Sequence, residues 1–205
     1  MADSHANESS APSHPIGRKL MRKVWGAVFS VGALLFVAGM VFWGGFGVAL
    51  DKTNELEFCV SCHSMQINLE EYKETVHYKN RTGVRAVCSD CHVPKELGPK
   101  LWAKLMAYKD VMHEILGTID TREKFEAHRW EMANRVWDKM RARDSHECRN
   151  CHKMDAWDFD VQGKSAKNKH QRLVEGASDK TCIDCHAGIA HTEPEEPDEP
   201  APAGG

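Results

Sequence analysis

The hydrophobic and polar residues divide the chain into one long apolar segment and a mostly polar remainder. From Val24 to Leu50 there are 27 residues without Asp, Glu, Lys or Arg, with Trp25 and Trp43 toward the two ends. About 20 apolar residues suffice for a helix to cross a bilayer. A cleaved signal peptide would have a shorter apolar region, roughly 7–15 residues, followed by a small-residue cleavage site. The pattern therefore predicts a retained transmembrane anchor over 18–50.

Basic residues set the expected orientation of this anchor. Four of them lie within 18–23, directly before the apolar segment. The positive-inside rule then leaves the N-terminus in the cytoplasm and sends the rest outward, into the periplasm of a bacterium. The predicted order is a disordered cytoplasmic tail over 1–17, the single-pass inner-membrane anchor, a periplasmic domain over 51–192, and an acidic, proline-rich disordered tail over 193–205.

The periplasmic part carries helical patterns. A connector from Pro99 to Arg143 has apolar residues at helix-like spacing, interrupted near Gly117, and the stretch Glu70–Tyr78 is also predicted to be helical. No βαβ pattern is present. The predicted fold is mainly α, with little or no β-sheet.

Charge excludes one class of partner. The formal net charge is −3, and residues 51–192 contain equal numbers of acidic and basic side chains. A nucleic-acid-binding domain normally shows a basic excess, so no nucleic-acid partner is expected.

The eight cysteines are the most informative residues, because all of them fall into four copies of one frame. Cys-x-x-Cys-His is the attachment frame of c-type haem, in which two thiols form thioethers and the adjacent histidine ligates the iron. Zinc ribbons need no histidine after each pair, and disulfides within the pairs would leave four histidines unexplained. We therefore predict four covalently bound haem c groups, which supply much of the domain's interior. The frames are Cys59–Cys62–His63, Cys88–Cys91–His92, Cys148–Cys151–His152 and Cys182–Cys185–His186.

Each haem iron can take a second axial ligand. His77, His170 and His191 are the candidates favoured by position, and His170 is expected in a basic loop between the third and fourth motifs. His191 is too close to His186 to serve the same haem. Met65 competes with packing as a ligand of the first haem. The remaining periplasmic histidines stay undecided: His113, His128 and His146.

The connector also carries Lys104 and Asp110. A cation and a carboxylate beside a haem could bind the two oxygens of a quinol, with the aspartate taking a proton. The residues alone favour the simpler alternative, an exposed helix decorated with charges.

Several longer segments resemble the NapC/NirT family of membrane-anchored tetrahaem quinol dehydrogenases, and most closely its NapC members. They are CVSCHSM at 59–65, EYKETVHYKNRTGVRAVCSDCHVPK at 71–95, GTIDTREKFEAHR at 117–129, ECRNCH at 147–152 and TCIDCHAGIAH at 181–191. The resemblance implies oxidation of menaquinol or ubiquinol from the membrane pool. The electrons would pass to a soluble periplasmic reductase, above all the nitrate reductase or its di-haem subunit.

The resemblance also implies roles for single residues. It makes Met65 an axial ligand of the first haem in place of His63, and it assigns Lys104 and Asp110 to the quinol site. It pairs His191 with the second haem, His170 with the third and His77 with the fourth. Smaller relatives lack a counterpart of His170, so its presence here implies a partner that docks and leaves.

Two alternatives accompany this expectation. The same chemistry could serve another periplasmic reductase, acting on nitrite or an N- or S-oxide, or the protein could be a tethered electron carrier that never oxidises quinol. Contact with membrane lipid is expected in every case, and a homodimer is left open.

Overall fold

The structure is a computed structural model, and it describes residues 15–197. All regular structure in this range is helical, and no strand is found there, which confirms the mainly-α prediction. Most of the two predicted disordered tails, namely 1–14 and 198–205, lies outside the described residues.

The chain forms two compact units, divided between Asp51 and Lys52. The described part of the first unit is helix α1, Pro15–Lys52, whose last residue already belongs to the second unit. Among the described residues it is the one helix long and apolar enough to cross a membrane. Its apolar side chains, from Leu20 to Val48, are exposed all round the helix, as expected of a membrane span. The helix begins at Pro15, so residues 15–17, which we assigned to the tail, are helical.

The second unit consists of short helices with one long one. Helix α4 packs against both α2 and α8, α5 packs against α6, and α10 packs against α7. A 3₁₀ turn lies at Met154–Ala156. The helices are α2 Leu56–Cys59, α3 Met65–Lys73, α4 Cys88–His92, α5 Leu97–Met106, α6 Tyr108–Ile115, α7 Arg122–Ala142, α8 His146–Arg149, α9 Lys164–Val174 and α10 Ile183–His186.

The connector is helical as predicted, and its main break falls at Gly117. This glycine has φ +68°, a left-handed conformation that glycine adopts without strain. Thr121 then caps α7, because its hydroxyl accepts a hydrogen bond from the Lys124 N–H at 3.3 Å.

Two local predictions are wrong. Helix α3 ends at Lys73, so His77 lies in turns and not in a helix. There the Thr75 carbonyl accepts from the N–H groups of Tyr78 and Lys79, and these turns replace a helical continuation. His170 lies in helix α9 and not in a loop, because lysine, glutamine and alanine favour a helix even where the segment is mostly polar.

The apolar core of the second unit is small. Its buried hydrophobic residues among those described are Ile67, Tyr72, Ile119, Phe125, Trp137 and Ile183. Such a core is too small to stabilise a domain of this length alone. This agrees with the expectation that prosthetic groups contribute to the interior.

One strained segment lies directly before the third motif and contacts the fourth. Asp144 and Ser145 both have left-handed backbones, with φ +51° and +47°, at the end of α7. Ser145 is completely buried, and its hydroxyl accepts a hydrogen bond from the Ile183 N–H at 3.2 Å. Because non-glycine residues pay for this conformation, the contact across the two motifs helps to hold it.

Candidate haem sites

The four Cys-x-x-Cys-His frames lie on or beside short helices. The second frame forms α4, the fourth ends in α10, and the first and third begin at the ends of α2 and α8. A helical turn brings residues i and i+3 to one side, as two thioethers to one porphyrin require. All eight cysteines lie in the described range, and none forms a disulfide.

Three of the four motif histidines face a histidine from elsewhere in the chain. The ring centroids are 6.2 Å apart for His92 and His191, 6.1 Å for His77 and His152, and 6.2 Å for His170 and His186. An imidazole nitrogen binds a metal ion at about 2 Å, with the ring centroid roughly 1 Å behind it. Two rings on opposite sides of one ion are therefore about 6 Å apart, which is the spacing seen in all three pairs.

Two of these pairs differ from the expected ones. His77 faces the third motif and His170 faces the fourth, whereas the resemblance implied the reverse. Only a short connection separates helix α9 from the fourth motif, and His170 on this helix therefore lies close to that motif. The smaller relatives in the family lack a counterpart of His170. A resemblance to them therefore does not determine whether His170 serves the third or the fourth haem. His191 faces the second motif, as expected.

The electrostatics of these histidines favour the neutral ring, which is the form that binds a metal ion. Burial lowers the pKa of His77, His170 and His191. Burial, with the neighbouring His191, lowers the pKa of His92 to about 4.

Gln162 forms a hydrogen bond with the Nδ1 atom of the His170 ring. Its Oε1 lies 2.6 Å from His170 Nδ1, and the ring of Trp157 lies 4.9 Å from the histidine ring, centroid to centroid. A proton on Nδ1 leaves Nε2 as the free nitrogen of the ring. Partners of this kind commonly fix the tautomer and orientation of a ligating histidine.

An ion pair secures the residue next to His191. Arg129 of α7 contacts Glu71 of α3 at 2.5 Å and donates to the Thr192 carbonyl at 2.8 Å. The Thr192 N–H donates to Glu71 at 3.0 Å. Burial alone would raise the pKa of Glu71, but the hydrogen bonds from Arg129 and Thr192 hold it below its ordinary value.

A buried tyrosine secures the segment with His77. The Tyr72 hydroxyl contacts the carbonyl oxygens of His77, at 3.0 Å, and of Ala86. Burial raises the pKa of Tyr72 to about 12, so the phenol keeps its proton and remains a donor.

The first motif differs from the other three, because no histidine ring faces His63 among the described residues. Helix α6 binds this motif through Glu114, whose carboxylate accepts from the N–H of His63 at 3.1 Å and from the Ser64 hydroxyl at 2.6 Å. Met65 starts α3, half-buried, and its sulfur lies 3.8 Å from the Asn68 amide nitrogen.

Lys104 and Asp110 lie near the same motif. The Lys104 ammonium donates to the hydroxyl and carbonyl of Thr53, at 2.7 and 3.1 Å. The neighbouring Cys88 thiol lowers the pKa of Cys59 to about 7, and the positive charge of Lys104 makes a smaller contribution in the same direction. Asp110 is exposed in the first turn of α6, one turn before Glu114.

Contacts between thiols put the motifs in sequence order. The Cys88 thiol lowers the pKa of Cys59, and the Cys148 thiol lowers that of Cys182, so the thiols of each pair lie close to each other. Helix α4 packs against α8 and so joins the second motif to the third. The first and second motifs, and the third and fourth, are thus neighbours.

The three undecided histidines do not face a motif histidine in the part of the chain that the structure describes. His146 pairs with Glu96 at 2.7 Å on the surface, His113 is exposed, and His128 is half-buried on α7. Sequence reasoning missed Glu114, Gln162, Glu71 and Arg129. The last two stand inside the segments that carried the family resemblance, and that was the one available signal for them.

The residues present fit haem c: four pairs of thiols on single turns, each followed by a histidine, three of which are opposed at the spacing of a shared metal ion. This arrangement defines a multihaem c-type cytochrome.

The chain belongs to the NapC/NirT cytochrome c family, whose N-terminal region matches residues 20–196. It is therefore a membrane-anchored electron-transfer protein with covalently bound haem c. No solved structure is significantly similar to it.

Similar proteins cover most of the chain. A protein of Allochromatium vinosum, provisionally described as tetraheme cytochrome-c type, is 56% identical over 81% of this chain and 89% of its own length. The denitrification system component NirT of Stutzerimonas stutzeri is 52% identical over 82% of this chain and 84% of its own. The cytochrome c-type protein NapC of Escherichia coli K12 is 49% identical over 81% and 84%.

Proposed function

We propose that the protein is a quinol dehydrogenase, which oxidises menaquinol or ubiquinol and passes the electrons to a soluble periplasmic reductase. The observation that carries the proposal is the asymmetry of the four motifs. Three motif histidines face a second histidine, whereas His63 faces none among the described residues, and the helices bearing Lys104 and Asp110 lie at that motif. An electron-entry site needs one centre unlike the rest, with proton-accepting groups beside it.

The same geometry supports a set of iron ligands. We assign His92 and His191 to the second haem, His152 and His77 to the third, and His186 and His170 to the fourth. Met65 is the proposed ligand of the first, with His63 as the alternative. The paired cysteines hold the porphyrins, which when bound accept and release single electrons in series.

The protein's own residues handle the quinol and its protons. Lys104, oriented by Thr53, donates a hydrogen bond to one quinol oxygen. Asp110 accepts a proton from the other hydroxyl, and because its carboxylate is exposed it can pass that proton to water. The hydroxyl beside Lys104 gives the second proton to water, so each quinol loses two protons and two electrons, and the quinone then leaves. Glu114 keeps α6, and with it Asp110, in place against the first motif.

The periplasmic nitrate reductase, through its di-haem subunit, is the acceptor that the family resemblance implies. The similarity to NirT, a denitrification component, makes a nitrite-reducing system the alternative. The fourth haem, bound by the last motif of the chain, is the proposed exit to this acceptor. The basic residues before the apolar segment favour a cytoplasmic N-terminus and a periplasmic haem domain in the inner membrane of a bacterium.

Stopped-flow reduction of the purified holoprotein by a menaquinol analogue tests the proposal. We expect Asp110→Asn to slow quinol-driven haem reduction by 10²-fold or more, a typical contribution of general base catalysis. Reduction by dithionite should be unchanged. Asp179→Asn, an exposed carboxylate elsewhere in the domain, is the matched control.

Two results would count against this function. A wild-type rate in Asp110→Asn would remove its acid–base role. A wild-type protein that dithionite reduces but quinol does not would be a tethered carrier. A pull-down from periplasmic extract with the full-length protein identifies the acceptor separately.

A further inference from the structure

Helices α5 and α6 expose a large apolar surface, although they belong to the second unit and not to the membrane span. The exposed fractions of its side chains run from 36% for Leu101 to 72% for Ile115. We call it the α5–α6 face, and its residues are Leu97, Leu101, Trp102, Leu105, Tyr108, Val111, Met112, Ile115 and Leu116. Exposed apolar patches of this extent normally mark an interaction surface.

The contacts of the two helices show which side is turned toward the domain. On α6, Glu114 binds the first motif. With about 100° per residue, Met112 lies about 160° around α6 from Glu114, and Tyr108 and Ile115 lie about 120° and 100° from it. On α5, Lys104 binds Thr53, and about 160° and 100° separate it from Trp102 and Leu105, whereas Leu97 and Leu101 lie on its own side. The part of the α5–α6 face that is turned away from these contacts therefore consists of Trp102, Leu105, Tyr108, Met112 and Ile115.

The composition of the two helices matches a membrane-surface helix. Such helices carry leucine and tryptophan on one side and lysine on the other, with aromatic rings at the level of the lipid headgroups. Trp102 and Tyr108 lie on the α5–α6 face, and Lys100 and Lys109 flank it. Lysine side chains in this position attract anionic lipid headgroups.

The chain connection favours lipid over a protein partner. Helix α1 ends at Lys52, and the Thr53 that follows is the residue that Lys104 binds. Helix α5 is thus bonded to the segment by which the domain is tethered. A protein anchored in this way keeps a bilayer within reach of this surface at all times.

We propose that the α5–α6 face rests in the membrane interface as a second, non-spanning contact with lipid. The proposal deepens the proposed function and rests on it in one respect, because quinol would then reach Lys104 and Asp110 directly from the bilayer. The contact with lipid itself can be tested without quinol.

The test uses the full-length holoprotein in nanodiscs of phosphatidylethanolamine and phosphatidylglycerol doped with a diazirine-bearing phospholipid. After illumination, mass spectrometry maps the carbene label. We expect label on peptides from 97–116 as well as on α1. The double variant Leu105→Glu, Ile115→Glu should reduce label on 97–116 at least fivefold, and Val84→Glu, an equally exposed valine elsewhere, should leave it unchanged.

Label confined to α1 would overturn the proposal. So would absence of label on 97–116 together with a dimer in native mass spectrometry, which would assign the face to a second copy. Haem content and dithionite reduction confirm that the variants are folded. Quinol-driven reduction is measured in parallel. Label on 97–116 without quinol oxidation would refute the dehydrogenase function and support the membrane contact. Quinol oxidation without label on 97–116 would support the dehydrogenase function and refute the membrane contact.

Discussion

The Oε1 atom of Gln162 lies 2.6 Å from Nδ1 of His170, and His170 in turn faces the fourth motif histidine, His186. A hydrogen bond accepted from Nδ1–H makes the imidazole a stronger donor to the iron, which favours the oxidised state.

We therefore expect Gln162→Leu to raise the midpoint potential of one haem by some tens of millivolts, on a scale of 59 mV for each tenfold change in a one-electron equilibrium. Gln162→Glu, with a stronger acceptor, should lower it. Spectroelectrochemical titration measures both. Shifts of the same sign in the two variants would indicate a general disturbance, and Gln171→Leu on the same helix is the control.

The facing rings of His77 and His152 predict that His77 is a ligand of the third haem. His77→Ala should remove one bis-histidine signal from low-temperature EPR and magnetic circular dichroism spectra. In a background without the third haem, made by Cys148→Ser and Cys151→Ser, the same substitution should remove no further signal. Loss of a second signal there would return His77 to the fourth haem.

The ion pair between Arg129 and Glu71 should contribute more to stability than its neighbour between Arg122 and Glu70. The two pairs both join α7 to α3, but the first is 12% and 20% exposed and the second 54% and 66%. We expect Arg129→Met to lower the free energy of unfolding by about 2 kcal/mol or more, because it leaves a partly buried carboxylate without its cation. Arg122→Met should cost at most about 1 kcal/mol. Denaturant titration of the holoproteins compares them, and equal losses would contradict the assignment.

Acid should weaken this same contact. The pKa of Glu71 is lower in the folded protein than its ordinary value of 4.5, so the unfolded chain takes up a proton first as the pH falls. The stabilisation is complete above pH 4.5 and declines below it, until the folded-state carboxyl is also protonated. Wild-type stability should thus fall more steeply below pH 4.5 than that of Glu71→Gln. Parallel pH profiles of the two proteins would contradict this.

The small apolar core predicts that the chain needs its haems to fold. Protein produced without the haem-attachment machinery should keep some helical signal in far-ultraviolet circular dichroism. It should lack a cooperative thermal transition and exchange most amide hydrogens of residues 52–197 rapidly. A sharp transition in this haem-free protein would show that the six buried apolar residues are sufficient.

The sequence was informative where the chemistry is local and less so where it depends on long-range packing. The Cys-x-x-Cys-His frames, the apolar span and the helical connector all follow from short-range patterns, and the structure has each of them. The partners of His77 and His170 depend on how separate segments pack, which spacing does not encode.

The missed residues have a related cause. Glu114 and Gln162 are ordinary polar residues on the chain, and only the fold shows what they bind. Helix α9 was not predicted because most of its residues are polar or basic.

The closeness of thiols from different motifs has a consequence for biogenesis. Cys59 lies near Cys88, and Cys148 near Cys182. In a chain that closed before receiving its porphyrins, the oxidants of an exported compartment could join these thiols across motifs. We therefore expect haem attachment to precede closure of the fold, because attachment consumes the thiols that would otherwise form the wrong bonds.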